Sequence, residues 1–394
     1  MIPQAMIDAG NAGSTIREIA EHGAQRAKVI GPENVFSFAI GNPSVPAPAC
    51  VQETIERLLR TVDPAVLHAY APAPGLESVR QKIADYLKSS FGVPYTAGDL
   101  YMTHGASSAL AILPKALLLR GEEAVTLTPY FPEYKAYVEA AGGVLTEVPS
   151  DPETFQLDLP ALGRAVTPNT KFVLLNSPNN PSGVVLSRES LVDLTGMLTA
   201  RQKEYGHPIY IVADEPYREL VYGGLEVTFI PALYRNTIYC YSFSKALSLP
   251  GERVGYIALH PDLDDYKNVR AAVYGAARVL GYICASTLFQ LVAAECLGKT
   301  ADISVYEKNR DLLYSSLTEL GYRCIHPDGA FYLFVKSPEP DARAFCRRAL
   351  GYELLFVPGD DFGCPGYVRI AYCVPRERIE RAMPAFRALA ESYR

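Results

Sequence analysis

The chain predicts an α/β fold: a large, mostly parallel β-sheet flanked by helices, joined to a smaller α+β part. Short apolar runs alternate with helical patterns through its middle, the signature of parallel strands linked by crossover helices. Each run ends in a polar or turn-forming cluster, and from about residue 291 onward the texture changes to helical periodicity mixed with short strands.

The elements follow in order. Residues 46–74 are rich in proline and suit long surface connections. The string Thr103-His104-Gly105-Ala106-Ser107-Ser108 places small residues just ahead of an apolar helical run at 109–119. Four strands are then expected, at 124–127, 171–175, 209–213 and 237–241. They run into Thr128-Pro129, Asn176-Ser177-Pro178, Asp214-Glu215-Pro216 and Ser242 respectively. In open parallel sheets ligands gather beyond the carboxyl ends of the strands, so these clusters should share one edge. Helices at 303–320 and 377–393, with strands at 331–335 and 367–372, complete the smaller part.

Bulk properties narrow the function. At 394 residues the chain exceeds the usual size of one hydrophobic core. With 49% hydrophobic and 20% charged residues it reads as globular rather than disordered or fibrous. A net charge of -6 gives no general attraction to nucleic acid or to an anionic membrane, so any anionic ligand must be held by local arginines. The cysteines Cys50, Cys240, Cys284, Cys296, Cys324, Cys346, Cys364 and Cys373 form none of the close pairs that build zinc or dithiol sites, and no metal is expected. They fit a cytoplasmic chain of mostly buried, reduced thiols. The first residues do not read as a signal peptide, and no apolar run approaches the length of a bilayer span.

Lys245 carries the most specific chemistry. It follows an apolar strand, between Ser242 and Ser244 on one side and Arg253 with glycines 251 and 255 on the other. A lysine desolvated near other cations loses part of its preference for the ammonium form, and its amine becomes free to form a Schiff base. Asp214 emerges from a buried strand and needs a partner: a capped helix, an ion pair or a protonated pyridine nitrogen would each serve. Gly105, Ala106 and Ser107 offer free N–H groups at a helix start, which either cap that helix or bind a phosphate. The string Asn176-Ser177-Pro178-Asn179-Asn180-Pro181-Ser182-Gly183 is at minimum a turn, and Asn180 can donate from it to a phenolate or a carboxylate. Arg369, among apolar neighbours on a strand, either snorkels to solvent or forks onto a carboxylate.

Taken together, these strings resemble the class I/II pyridoxal-phosphate aminotransferases of fold type I, over nearly the whole chain from Ile16-Arg17-Glu18 and Gly41-Asn42-Pro43 to Arg369. The resemblance implies pyridoxal 5'-phosphate held by Lys245 as a Schiff base, with the freed amine later shuttling a proton between substrate Cα and cofactor C4′. It implies Asp214 against the pyridine nitrogen, Tyr217 and Asn180 on the phenolic oxygen, and Phe131 stacked on the ring with Tyr130 and Tyr134 beside it. Gly105, Ala106, Ser107, Ser242, Ser244 and Arg253 would form the phosphate cup. Tyr70 would reach the phosphate of a neighbouring subunit, which implies a homodimer. Arg369, helped by Asn180 and the backbone of Gly41, would clamp the substrate α-carboxylate.

The implied domain division is 1–45 as an N-terminal segment joining the small domain, 46–290 as the large cofactor domain and 291–394 as the small C-terminal domain. The implied reaction moves the amino group of an L-amino acid to a 2-oxo acid, 2-oxoglutarate for choice, by a ping-pong scheme. A carbon-sulfur β-lyase and a non-catalytic ligand-sensing module are the alternatives. Two departures leave the amino donor open. The stretch 279–286 offers no arginine for a distal carboxylate, with Arg278 only a loose candidate, and Gly41-Asn42-Pro43-Ser44-Val45-Pro46 lacks the aromatic often found after such a turn. The side-chain pocket is expected around Tyr130, Tyr134, Tyr282 and Phe331.

Overall fold

The computed structural model describes residues 2–11 and 15–393, so residues 1, 12–14 and 394 of the expected terminal segments lie outside the described ones. A short strand, β1 (Phe36–Ser37), precedes the seven strands of the main sheet. These are β2 (Leu100–Thr103), β3 (Glu123–Thr128), β4 (Val144–Pro149), β5 (Thr170–Asn176), β6 (Tyr210–Asp214), β7 (Thr237–Ser242) and β8 (Gly255–Leu259), in the spatial order β2-β8-β7-β6-β5-β3-β4. Only β8 runs against the others. The sheet is therefore mostly parallel, as expected, and its inner strands are continuous buried runs because both faces are covered, while the edge strand β4 is largely accessible.

Alternation along the strands divides the core in two. Ile211 and Ala213 of β6 join Val173 and Leu175 of β5 under the helices Glu77–Phe91 and Arg188–Tyr205, through Ile83, Leu87, Leu194 and Leu198. Tyr210 and Val212 join Phe172 and Leu174 on the opposite face, under Ala106–Leu117 and Tyr266–Leu280, through Leu110, Leu113, Val269 and Val273.

A second sheet is built late in the chain from β9 (Arg323–Cys324) and β10 (Tyr332–Lys336). After β11 (Leu354–Leu355), which pairs in parallel with β1, come its other members β12 (Val357–Pro358) and β13 (Tyr367–Ala371). Helices Ser304–Glu319 and Arg376–Glu391 cover it, contributing Leu313, Leu317, Phe386 and Leu389 to a core that also takes in Phe38. Tyr217 and Ala246, from loops of the main sheet, are buried in this same core. The carboxyl edge of the large sheet thus meets the smaller one.

One expectation fails. The proline-rich stretch 46–74 is largely helical, with Ala49–Thr61 and the single turn Pro64–Leu67. The prolines flank helix rather than interrupt it: Pro48 caps the first and Pro64 opens the second, where a missing N–H costs nothing. The thiols are also less buried than expected. All eight are free, but only Cys240, Cys296 and Cys373 are buried, the others being partly accessible.

Candidate active site

Two adjacent strands of the main sheet end in register, Asn176 of β5 opposite Asp214 of β6, and Asp214 in turn lies opposite Cys240 of β7, which runs two residues further to Ser242. Beyond that edge is a cavity of about 260 Å³ that collects Asp214, Tyr217, Ser242, Ser244 and Lys245, with Gly41, Ala106, Ser107, Phe131, Asn180, Arg253 and Arg369 around them. Gly105 stands just behind it as the N-cap of the helix Ala106–Leu117, at φ 81°. A Cβ there would lie 2.8 Å from the Arg253 guanidinium, so the glycine allows the close approach. Tyr70 is the exception among the expected site residues. It is 94% exposed and does not line the cavity of its own chain.

Local sequence fixes each group. Ser242 ends β7 and caps the turn Phe243–Ala246 by accepting from the Ser244 N–H, which lifts Lys245 into the cavity. The Lys245 ammonium donates to the Gly41 carbonyl at 2.8 Å. Burial lowers its pKa to about 8, with Arg369 and Arg253 pushing the same way and Cys373 opposing. Asn176 donates to the Asp214 carbonyl at 2.8 Å and accepts from the Asn180 N–H at 2.7 Å, so the turn after β5 is tied to the end of β6.

Arg369 is 2% exposed, which rules out snorkelling. It donates to Asn180 Oδ1 at 3.0 Å and to the Ala39 carbonyl at 2.6 Å, while its Nε is buried without a partner. The guanidinium lies 4.5 Å from the centre of the Tyr332 ring. Arg253, in a left-handed backbone conformation at φ 52°, donates to the carbonyls of Pro250 and His104. Among the described residues neither arginine pairs with a carboxylate. Burying the Arg369 guanidinium without a counter-anion is costly, and it is poised to receive one; Arg253, at the exposed rim of the cavity, is likewise free to take an anion.

Asp214 has the complementary deficiency. The Tyr134 hydroxyl donates to its Oδ2 at 2.5 Å, but Oδ1 is buried with no partner. It caps no helix and forms no ion pair among the described residues. Burial raises its pKa to about 7; the Tyr134 hydrogen bond opposes the rise and nearby Glu215 adds to it.

Residues 33–386 match the family described as aminotransferase class I and II. The chain belongs to the class I and II aminotransferases. Among curated relatives, it is 31% identical to a probable aspartate/prephenate aminotransferase of Thermus aquaticus, over 90% of this chain and 91% of that one. It is 30% identical to aromatic-amino-acid aminotransferase 2 of Thermococcus litoralis, with the same shares covered. Among solved structures, an aminotransferase from Eubacterium rectale superposes with a TM-score of 0.97 at 49% identity, covering 100% of this chain and 99% of that one. The fold is therefore fold type I, and the enzyme is a pyridoxal-phosphate-dependent aminotransferase.

The residues of this aminotransferase fit the cofactor. The orphaned Oδ1 of Asp214 suits a protonated ring nitrogen. The N–H groups at the start of Ala106–Leu117, with Ser242, Ser244 and unpaired Arg253, suit a phosphate. The aminotransferase also holds groups that sequence reasoning assigned differently. Of the four residues expected around the substrate side chain, Tyr130, Tyr134, Tyr282 and Phe331, none lines the cavity, whereas Tyr332 does. Both Phe331 and Tyr332 belong to the second core, and the centre of the Phe331 ring lies 5.4 Å from Lys245 Nζ, but only Tyr332 reaches the cavity wall. Tyr134 points to Asp214 instead. Ile16 and Asn176 also line the cavity, and the ties of Asn176 to residues 180 and 214 are not visible in local patterns.

Proposed function

We propose that this aminotransferase takes the amino group of an L-amino acid and passes it to a 2-oxo acid, with 2-oxoglutarate the expected acceptor, in two successive half-reactions at one site. The observation that carries this reading is a buried arginine, Arg369, paired with no carboxylate among the described residues and sharing one cavity with a lysine of lowered pKa. Arg369 receives the α-carboxylate of donor and acceptor alike, which orients the Cα–H for removal. Asn180 steadies that guanidinium through Oδ1 and keeps its amide N–H₂ for the cofactor's phenolic oxygen, to which Tyr217 also donates. When bound, pyridoxal phosphate withdraws electrons from Cα and makes its proton acidic. Lys245 anchors the cofactor and, once released, carries that proton on Nζ. Asp214 keeps the ring nitrogen protonated.

We further propose a homodimer in which Tyr70 reaches the partner's phosphate site; its side chain stands exposed, away from the cavity of its own chain, which supports that reach. A cytoplasmic location is supported by eight unpaired cysteines. The division at residues 45 and 290 is supported by the β1–β11 pairing, which ties the N-terminal segment to the C-terminal part.

An amino-acid panel tests the main reading, beginning with aspartate and aromatic donors because the relatives' names point there. Each active donor should shift the absorbance of the bound cofactor, and an added 2-oxo acid should restore it. Absence of any shift, or release of ammonia and pyruvate from cysteine without an oxo acid, would overturn it. Borohydride reduction followed by peptide mapping should place the cofactor on Lys245.

A further inference from the structure

We propose that Tyr332 is a positioning residue for the phenolic side of the cofactor: its hydroxyl donates to the oxygen of Tyr217, leaving the Tyr217 O–H free to point into the cavity. The two oxygens lie 2.9 Å apart, with Tyr332 2% and Tyr217 5% exposed, and no other hydrogen bond is made by the Tyr332 hydroxyl among the described residues. A buried hydroxyl whose sole neighbour is another hydroxyl must either donate to it or accept from it. If it accepted, the only proton Tyr217 has would be spent inside the protein and none would face the cofactor. The polarity Tyr332 to Tyr217 to phenolic oxygen satisfies all three groups, and donors in such a chain strengthen one another.

Packing holds Tyr332 in place from three directions. It lies opposite Ala371 in the β10–β13 pairing, on the same face as Arg369 opposite Phe334, which brings the guanidinium 4.5 Å from its ring centre. The Tyr217 ring meets its ring edge-on at 5.8 Å. Its hydroxyl lies against the Gly41 Cα, so close that a Cβ there would come within 2.0 Å of it, and the carbonyl of that same Gly41 receives the Lys245 ammonium. One phenol thus touches the residue for the phenolic oxygen, the residue for the carboxylate and the backbone that holds the lysine.

The inference rests on the role proposed for Tyr217, and the experiment separates the two. Holoenzymes of the wild type, Tyr217→Phe, Tyr332→Phe and the double variant are titrated by the visible absorbance of the bound cofactor. A donor to the phenolic oxygen favours the state in which the adjoining nitrogen carries no proton, so losing the donor raises the midpoint. Tyr217→Phe should raise it most and Tyr332→Phe by roughly half a pH unit. The double variant should match Tyr217→Phe alone, because the Tyr332 hydroxyl acts only through Tyr217. An unmoved midpoint in Tyr332→Phe beside a shifted Tyr217→Phe, or shifts that simply add, overturns the role of Tyr332. An unmoved midpoint in Tyr217→Phe overturns the reading of Tyr217 and this inference with it. The Phe variants keep both rings, and unchanged cofactor stoichiometry with native circular dichroism shows that the comparison is made on folded enzyme.

Discussion

Tyr134 donates to one oxygen of the Asp214 carboxylate at 2.5 Å and leaves the other oxygen buried with no partner among the described residues. The carboxylate is half-satisfied, and the stability of the cofactor-free protein should register it. Its folded pKa, about 7, lies above the unfolded value of roughly 4. Between those values the folded state binds more protons than the unfolded chain, so this contribution is full below the lower value and is lost as pH rises through the upper one. Glu215, also raised by burial to about 7, adds to the slope. Melting temperatures of the cofactor-free protein should fall as pH rises from 4 to 7, and less steeply in Asp214→Asn. An equal slope in both proteins would contradict the assignment.

Lys245 should show its lowered pKa in the rate of cofactor capture. An amine with a pKa of about 8 is largely ammonium at pH 6 and largely neutral at pH 9. The rate at which the cofactor-free enzyme becomes reducible by borohydride should therefore rise with a midpoint near 8. A midpoint near the ordinary lysine value would show that burial and the two arginines do not act on it. Lys245→Ala should abolish turnover while the phosphate cup still retains cofactor without a covalent bond.

Arg369 is held by Asn180, the Ala39 carbonyl and the faces of Tyr332 and Phe362. Replacing it with Ala removes charge-assisted bonds of about 1.5–3 kcal/mol, which predicts a fall of roughly tenfold to 150-fold in kcat/KM for every donor. Arg369→Lys should recover only part of the loss, since a point charge cannot fork onto a carboxylate. Steady-state kinetics with two chemically different donors would show whether the loss is common to both, as a shared α-carboxylate requires.

Gly41→Ala should be damaging although it adds a single methyl. The new Cβ would fall 2.0 Å from the Tyr332 hydroxyl, so the phenol or the backbone must shift. Either movement disturbs the carbonyl that holds Lys245, and kcat should fall on the order of tenfold to a hundredfold. A crystal structure with an unmoved Tyr332, or unchanged kinetics, would refute this account.

Tyr70 tests the proposed dimer by complementation. Tyr70→Ala, weak alone, and Lys245→Ala, inactive alone, should regain about a quarter of wild-type activity when co-refolded, because about half of the dimers are then mixed and each of these contains one site with both residues intact. No recovery from a mixture shown to contain hybrid dimers would exclude a contribution of Tyr70 across subunits.

Four of the seven strands of the main sheet were legible because both their faces are covered, whereas β2, β4 and β8 were not expected, β4 being a largely accessible edge strand with no continuous buried run. An expected strand at 171–175 is observed as Thr170–Asn176, and 237–241 as Thr237–Ser242. Lys245 and Asp214 were legible for a related reason: each stands where an apolar run stops, the edge at which a parallel sheet collects its ligands. Tyr332 was not, because in the string Phe331-Tyr332 nothing local says which aromatic faces the site. That is decided by the pairing of β10 with β13, which sets Tyr332 beside Arg369 at the cavity wall. The stretch 46–74 misled because prolines bordering helices were read as prolines breaking them.

By itself the sequence determined the fold class and named most of the groups that line the cavity, since apolar periodicity and turn chemistry act between near neighbours. Tertiary structure alone decided which atoms meet. Arg369 reaches Asn180 across 189 residues of sequence, and Lys245 reaches Gly41 across 204. Such contacts are set by how two separately patterned cores pack together, bringing the carboxyl edge of one sheet against the other and leaving Arg369 and Asp214 buried, each with a polar atom that has no partner among the described residues.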